Sequence, residues 1–339
     1  MLQASAYQIV EPSFMEPEIL LQYSQASGFT EALAGRQLRT RMAEDDLFVY
    51  AKTLNLRTRM AAGQSSMNEL PGVNIQAAMI STATYLLKVR SQYDHHDVAA
   101  AGRWGFAAPE AYRLGMRQAN FQLARDAALL GMNPVNGEGL LNASGATALN
   151  LPPDSNGNDT VTTYDNGQMA LFLLQQILNI KTRTYQLGIG RKFTILGPQR
   201  VLGLFEYNIV QLVQYQRPGA GTASTAETVE KVAMENGDEV TWAYDDTLIG
   251  QGAGGTDAVL VVMPEVEKPD TGATVDTNVW ADLKPGNPTC TTQYCDMAAP
   301  REIVSPLAGG ATDVVQEWRI TSGWGLRPQA ITVVSMQYT

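Results

Sequence analysis

The stretch "APEAYRLGMRQANFQLARDAALLGMNPVNGEGLLN", residues 108–142, joins a long periodic pattern to a pair of glycines. Pro109 suits the first position of a helix, and Glu110 adds favourable charge in its first turn. Tyr112, Met116, Ala119, Leu123, Ala127 and Leu130 recur three or four residues apart, which predicts a single apolar stripe. Arg113, Arg117 and Gln118 fall away from it, and Gly131 supplies the stop. Such a helix would be about 33 Å long, long enough to form the spine of a lobe. Asn133-Pro134 then turns the chain, and Gly137 and Gly139 precede Leu140, Leu141 and Asn142. A G-x-G pair cradles a phosphate when it follows a strand and opens a helix, whose N-terminal amides then face the anion. Here the order is reversed. The glycines read as a redirecting turn, anchored in a core by Leu140 and Leu141.

Upstream, residues 1–50 are polar and mixed, with a short helix expected after Pro12 or Pro17, and they read as an arm lying along other structure. "LNLRTRMA" places Leu54, Leu56, Thr58 and Met60 on one face and Asn55, Arg57 and Arg59 on the other, the period of a strand. "AGQSSMNELPG" is a turn-rich tip, and the β-branched run "VNIQAAMISTATYLLKVR" returns as a second strand. A lone two-stranded hairpin is marginal in water, so this one needs a surface to lie on.

Downstream, "LPPDSNGNDTVTTYDNG" is a loop and a lobe boundary. Asp165 caps the next helix, with Gln168 in capping-box position, and "MALFLLQQILNI" is apolar almost all round and therefore buried. "RKFTILGP" reads as a strand, "QRVLGLFEYNIVQLVQY" and "TVEKVAMEN" as helices, "EVTWAY" and "DAVLVVMP" as strands. Residues 264–300 read as loop. "VVQEWRITSGWG" and "AITVVSMQY" read as closing strands on either side of Leu326-Arg327-Pro328. Runs of strand and helix of this kind predict an α+β or α/β chain.

The composition narrows the function. Of 339 residues only 17% are charged, against roughly 25% in an average soluble domain. Interface cores are depleted in Lys, Glu and Asp, so the deficit fits a surface occupied by neighbours. Lys and Arg total 24 against 34 acids, for a net charge of −10, and no basic run exceeds two residues. Tight nucleic-acid binding is not expected from such a chain. No stretch reaches the roughly 18 apolar residues of a membrane span. The first twenty residues carry acids where a signal peptide carries its basic region, and with Met1 present no large N-terminal scaffolding segment is expected.

Candidate chemistry is sparse. The only two histidines lie in "DHHD", residues 94–97. Adjacent side chains point apart on a strand or a helix, so this reads as a polar surface strand. A Ser-His-Asp triad could draw only on these two histidines, and no G-x-S-x-G elbow occurs. Asp45-Asp46 and Asp245-Asp246 read as solvated charges. "IGQGAGGTD", residues 249–257, precedes a strand, again the wrong order for phosphate. Cys290 and Cys295, with no second pair and no neighbouring His, are expected as free thiols rather than a zinc site. No catalytic, cofactor-binding or metal-ligating residue is assigned, and no cofactor is expected.

The order of arm, long hairpin, spine helix, glycine turn, mixed lobe and return strands resembles tailed-bacteriophage major capsid proteins of the Hong Kong 97 type, a fold shared with encapsulins. "GRWGFAAPEAYRLGMRQANFQLARDAALLG", the following "GLLN" and the closing "VVQEWRITSGWGLRPQAITVVS" are most similar to the capsid family known as DUF2184. The resemblance implies an α+β subunit with an N-terminal arm (1–50), an extended loop (51–90), a peripheral domain (91–164) carrying spine helix 108–131, an axial domain (165–298) and return strands of the peripheral domain (299–339). It implies self-assembly into hexamers and pentamers of an icosahedral shell. That shell would enclose double-stranded DNA without gripping it, with portal, scaffolding or decoration proteins as candidate partners and no membrane. It places the protein in the virion, after assembly in the host cytoplasm. An encapsulin-like compartment is the alternative; a tail-tube protein and a His95/His96 hydrolase or metal enzyme are more distant ones. Some members crosslink through Lys and Asn, but no motif assigns Lys52 or Lys88 that role.

Overall fold

The computed structural model describes residues 27–33, 41–57, 74–103, 105, 107–184, 190–208, 223–265, 291–297 and 299–339. The expected helix after Pro12 or Pro17 and the hairpin tip lie outside them. The first elements are β1 (Arg41–Met42), β2 (Phe48–Arg57), β3 (Asn74–Asp94), α1 (His95–Arg103) and the spine helix α2 (Ala108–Leu129). Next come β4 (Thr147–Asn150), α3 (Asn166–Arg183), β5 (Lys192–Gly197), α4 (Gln199–Tyr207), α5 (Thr225–Glu235), β6 (Glu239–Tyr244) and β7 (Asp257–Val262). The chain closes with β8 (Thr292–Gln293), β9 (Asp296–Met297), β10 (Arg301–Pro306), β11 (Ala311–Thr321), β12 (Trp324–Gly325) and β13 (Ile331–Met336).

Two main sheets organise these elements. One runs β1-β9-β11-β3-β2, with β10 also on β11; the other runs β4-β13-β7-β5-β6. The hairpin belongs to the first, and the reason it holds is the 21-residue β3. Its first half pairs antiparallel with β2, from Arg57 opposite Asn74 to Phe48 opposite Ala83. Its second half pairs with β11, from Thr84 opposite Thr321 to Asp94 opposite Ala311. No Gly or Pro interrupts β3, so one continuous rail carries the hairpin out of the sheet. That rail answers the marginal stability of an isolated hairpin.

The second sheet is the centre of the molecule. All six residues of β7 and all six of β13 are buried. Alternate side chains of β7 serve different cores, as the two-residue period of a strand demands. Val259, Val261 and Met263 pack with Phe193, Ile195, Leu173, Ile177, Leu202 and Val229, under α3, α4 and α5. Ala258, Leu260 and Val262 pack with Ala124, Ala127, Ala128 and Leu129 of α2 on the opposite face. The Asp165 side chain caps α3 by accepting from Gln168 N–H at 2.8 Å. Gln168 does not return the bond, because its amide is engaged by Ser155, which donates its N–H to Gln168 Oε1 at 3.0 Å.

Several expectations need correction. The buried face of α2 is rotated from the stripe of large apolar residues. Met116 and Ala127 are buried, but Tyr112, Ala119 and Leu123 are exposed, and burial falls instead on Asn120, Ala124, Ala128 and Leu129. Close approach selects the small side chains: a Cβ on Gly323 would lie 1.9 Å from Ala128 O. Asn120 is buried because its amide donates to Gln316 of β11 at 3.3 Å. "DHHD" is not a strand; Asp94 ends β3 and His95 begins α1. Of the closing strands, β10 and β11 join the first sheet beside β3, whereas β13 runs between β4 and β7 in the second. The helix begun at Gln199 ends at Tyr207 within the described residues.

Candidate functional site

The glycine turn closes the C-terminal end of the spine helix. The last carbonyls of a helix have no partner within it. In α2 Asp126 O accepts from the adjoining Leu130 and Gly131 amides, and the last three are met by chain from elsewhere: Gly323 N–H donates to Ala127 O, Leu140 N–H to Ala128 O and Leu141 N–H to Leu129 O, at 2.9, 3.0 and 3.1 Å. Asn142 Nδ2 donates to Leu130 O at 2.8 Å. Gly139 N–H reaches across to Gly323 O at 2.9 Å. Gly131 and Gly139 lie back to back at φ +82° and +87°, and a Cβ on Gly139 would meet Leu130 C at 2.4 Å. "GLLN" and "SGWG" are therefore one packing device, not a phosphate loop.

Glu138, between the two turn glycines, ties this device to the rail. Its carboxylate accepts from the Tyr85 hydroxyl of β3 at 2.8 and 2.9 Å, from Ser322 Oγ at 2.8 Å and from Asn133 N–H at 3.1 Å. Burial, and then the Glu138 hydrogen bond and charge, push the Tyr85 phenol up to about 12. Hairpin rail, spine helix and return strand thus converge on one carboxylate.

Beyond this junction the surface carries apolar faces. Phe48, Tyr50 and Met79 are 53%, 63% and 67% exposed. The register sets Phe48 opposite Ala83, Tyr50 opposite Ser81 and Lys52 opposite Met79, so all three project from the same side of the hairpin. The Phe48 and Tyr50 rings lie 6.4 Å apart. Leu47 beside them is exposed as well. On the central lobe, Leu171 and Leu178 are exposed seven residues apart on α3, and Met234 on α5. None of these was singled out from the sequence. The signal was there in the apolar run "LFVY", just upstream of the segment read as hairpin.

The residues weighed for chemistry are spread over the molecule. Asp45 and Asp46 are exposed as expected. Asp245 is not a solvated charge but buried, accepting from Thr247 N–H at 2.9 Å, from the Thr247 hydroxyl and from the Ser27 hydroxyl. Its neighbour Asp246 accepts from Gln199 N–H at 2.8 Å, at the start of α4. The amides of "IGQGAGGTD" are taken by the chain's own acceptors: Gly250 N–H by Asp257 Oδ1 and Ala253 N–H by Ser335 Oγ. Cys295 is buried, and Cys290 lies outside the described residues. Within the described residues, no helix is long and apolar enough to cross a membrane. His95 and His96 do not diverge: their ring centroids are 3.8 Å apart. Burial alone would raise the Asp94 carboxyl, but N–H bonds from His95 and His96 and the nearby imidazoles outweigh it and hold the group below the usual carboxylate range.

By sequence, the chain matches no family model and no curated protein. By structure, it superposes on the capsid of Myoviridae phage XM1 with a TM-score of 0.68, over 95% of this chain and 96% of that one, at 12% identity. The capsid of cyanophage P-SCSP1u gives a TM-score of 0.54 over 98% and 94% of the two chains, at 14% identity. The capsid of an empty GTA particle gives 0.53 over 97% and 96%, at 11% identity. The chain has the phage capsid fold. Near-complete coverage in both directions carries that statement, since it includes hairpin, spine helix and central lobe together. The narrower likeness to DUF2184 gains no support from the sequence comparison.

Proposed function

We propose that this chain is the major capsid protein of a tailed phage, not an enzyme, and that its copies form the hexamers and pentamers of an icosahedral shell around a double-stranded DNA genome. The observation that carries the reading is the outward apolar face of the hairpin, Phe48, Tyr50 and Met79. Three large apolar side chains on a sheet extension are poorly placed in water and well placed against a neighbouring subunit. In this reading residues 1–50 are the arm, whose last residues enter the hairpin through β2, 51–90 the extended loop, 91–164 and 299–339 the peripheral domain and 165–298 the axial domain, with β4 and β13 seated in the central sheet beside the axial strands. Leu171, Leu178 and Met234 face sister copies within a capsomer. A net charge of −10 suits a container that does not grip its DNA. The protein resides in the virion, having assembled in the host cytoplasm, where portal, scaffolding and decoration proteins are its candidate partners. The solved structures named above are phage and GTA capsids, so the encapsulin alternative gains no support from them.

Electron microscopy of the concentrated protein tests the assignment. Closed shells are expected from the wild-type chain. A Phe48→Glu/Tyr50→Glu variant should remain folded by circular dichroism yet stay as subunits or small rings. Wild-type protein that remains monomeric at every concentration, or that forms tubes, would overturn the proposal. Shells from the double-Glu variant would overturn the role given to the hairpin.

A further inference from the structure

We propose that Asp94, His95 and His96 form a surface site for one divalent transition-metal ion of the zinc or nickel type, with water completing its coordination. A carboxylate oxygen and one nitrogen from each imidazole all lie within 4.8 Å of one another. Donors that share one ion at about 2.0–2.2 Å sit roughly 3–4 Å apart. Small rotations of these accessible side chains close the difference, since the His95 and Asp94 side chains are 59% and 40% exposed.

The convergence follows from the backbone. Asp94 is the last residue of β3 and His95 the first of α1. The change from extended to helical chain breaks the alternation that would send neighbouring side chains apart. One atom in the cluster lacks a satisfactory partner. Asp94 Oδ1 is shielded from solvent and accepts no hydrogen bond, yet it lies 2.6 Å from His95 Nδ1. Either a hydrogen carried on His95 Nδ1 or a metal ion beside both atoms satisfies that contact. The β10–β11 turn packs closely against the His95 ring: Gly310 has φ +83°, and a Cβ there would lie 2.8 Å from His95 Nδ1.

Two imidazoles and one carboxylate are borderline donors, which favour zinc, nickel, cobalt or copper over magnesium and calcium. The positive end of α1 opposes any cation at this corner. Asp94 counters it, as does Asp97, whose carboxylate accepts Asp94 N–H at 3.3 Å.

The chain contains only these two histidines, so imidazole-based metal binding by an untagged protein can arise nowhere else. Calorimetric titration of the full untagged chain with Ni²⁺ should show one saturable site per chain. His95→Gln and His96→Gln, each checked for folding by circular dichroism, should each weaken it about tenfold or more. Asp45→Asn/Asp46→Asn, a change at exposed acids elsewhere, should leave it unchanged. Should a His variant unfold, the wild-type chain still gives an answer: Zn²⁺ should protect both histidines from diethylpyrocarbonate. No saturable binding, affinity within twofold of wild type in a folded His variant, or unprotected histidines at saturating Zn²⁺ would overturn the proposal and leave an imidazole N–H as the partner of Asp94.

Discussion

Lys181 and Asp238 show what a single buried charge commits the fold to. Their side chains are 7% and 5% exposed, and Lys181 Nζ donates to both carboxylate oxygens at 2.8 and 2.9 Å. Asp238 also accepts Arg191 N–H at 2.9 Å, which fastens the end of α3 to the start of β5. Removing one partner of a buried pair leaves the other charge desolvated and uncompensated. Lys181→Met is therefore expected to lose about 3–5 kcal/mol of stability, read from guanidinium unfolding. Tyr85 makes the second case, through pH. Its folded value near 12 stands above the ordinary 10.0, so the folded chain holds this proton more tightly than the unfolded chain does. The stabilisation is fully present below pH 10 and fades as pH rises from 10 to 12. The stability difference between wild type and Tyr85→Phe should shrink across that window. A constant difference would show that the Tyr85–Glu138 bond does not govern the junction.

The spine helix and its cap make a sharper test, because the contact is between backbones. Gly139 and Gly157 both hold positive φ, +87° and +86°, but a Cβ on Gly139 would strike Leu130 C at 2.4 Å while one on Gly157 would meet nothing within 4 Å. Gly157→Ala should cost about 1 kcal/mol, the left-handed backbone alone. Gly139→Ala adds the collision and should cost about 2–4 kcal/mol or prevent folding, as judged by thermal unfolding. Equal costs would mean that the cap does not depend on close approach. The same element shows what the sequence could and could not convey. Pro109, Glu110 and Gly131 mark the helix ends through local chemistry, and the alternation of "LNLRTRMA" marks a strand. The face that α2 buries is set by alanines and by a glycine 195 residues or so downstream of Ala128, where the signal is an absence of side chain rather than a periodicity. The burial of Asp245 depends on Ser27, and the position of β13 depends on β4 and β7; neither is a neighbour in sequence. For the assembly face, period-two patterning held the information in Phe48 and Tyr50, but whether such residues point at a core or at solvent is decided only by the strand's partners.

Taken together, the two cores share one sheet while the hairpin shares nothing but its rail, and this division has a thermodynamic consequence. Val259, Val261 and Val334 anchor one core, and Leu260, Val262 and Val333 the other, from alternate positions of the same strands β7 and β13. Neither core can be lost without the other, so the body of the subunit should unfold in one transition. Phe48, Tyr50 and Met79 lie outside both cores, and their burial awaits a neighbour. A stable protein interface removes about 1,200–2,000 Å² from solvent, and any partner that binds only the folded chain raises its apparent stability by mass action. The melting temperature of the wild-type protein should therefore rise with concentration, and rise further once shells form. For Phe48→Glu/Tyr50→Glu it should stay at the value of the dilute wild-type subunit, because exposed positions contribute little to the isolated fold. A calorimetric melting temperature that is independent of concentration in both proteins would mean that this face is not where the subunit gains its partners.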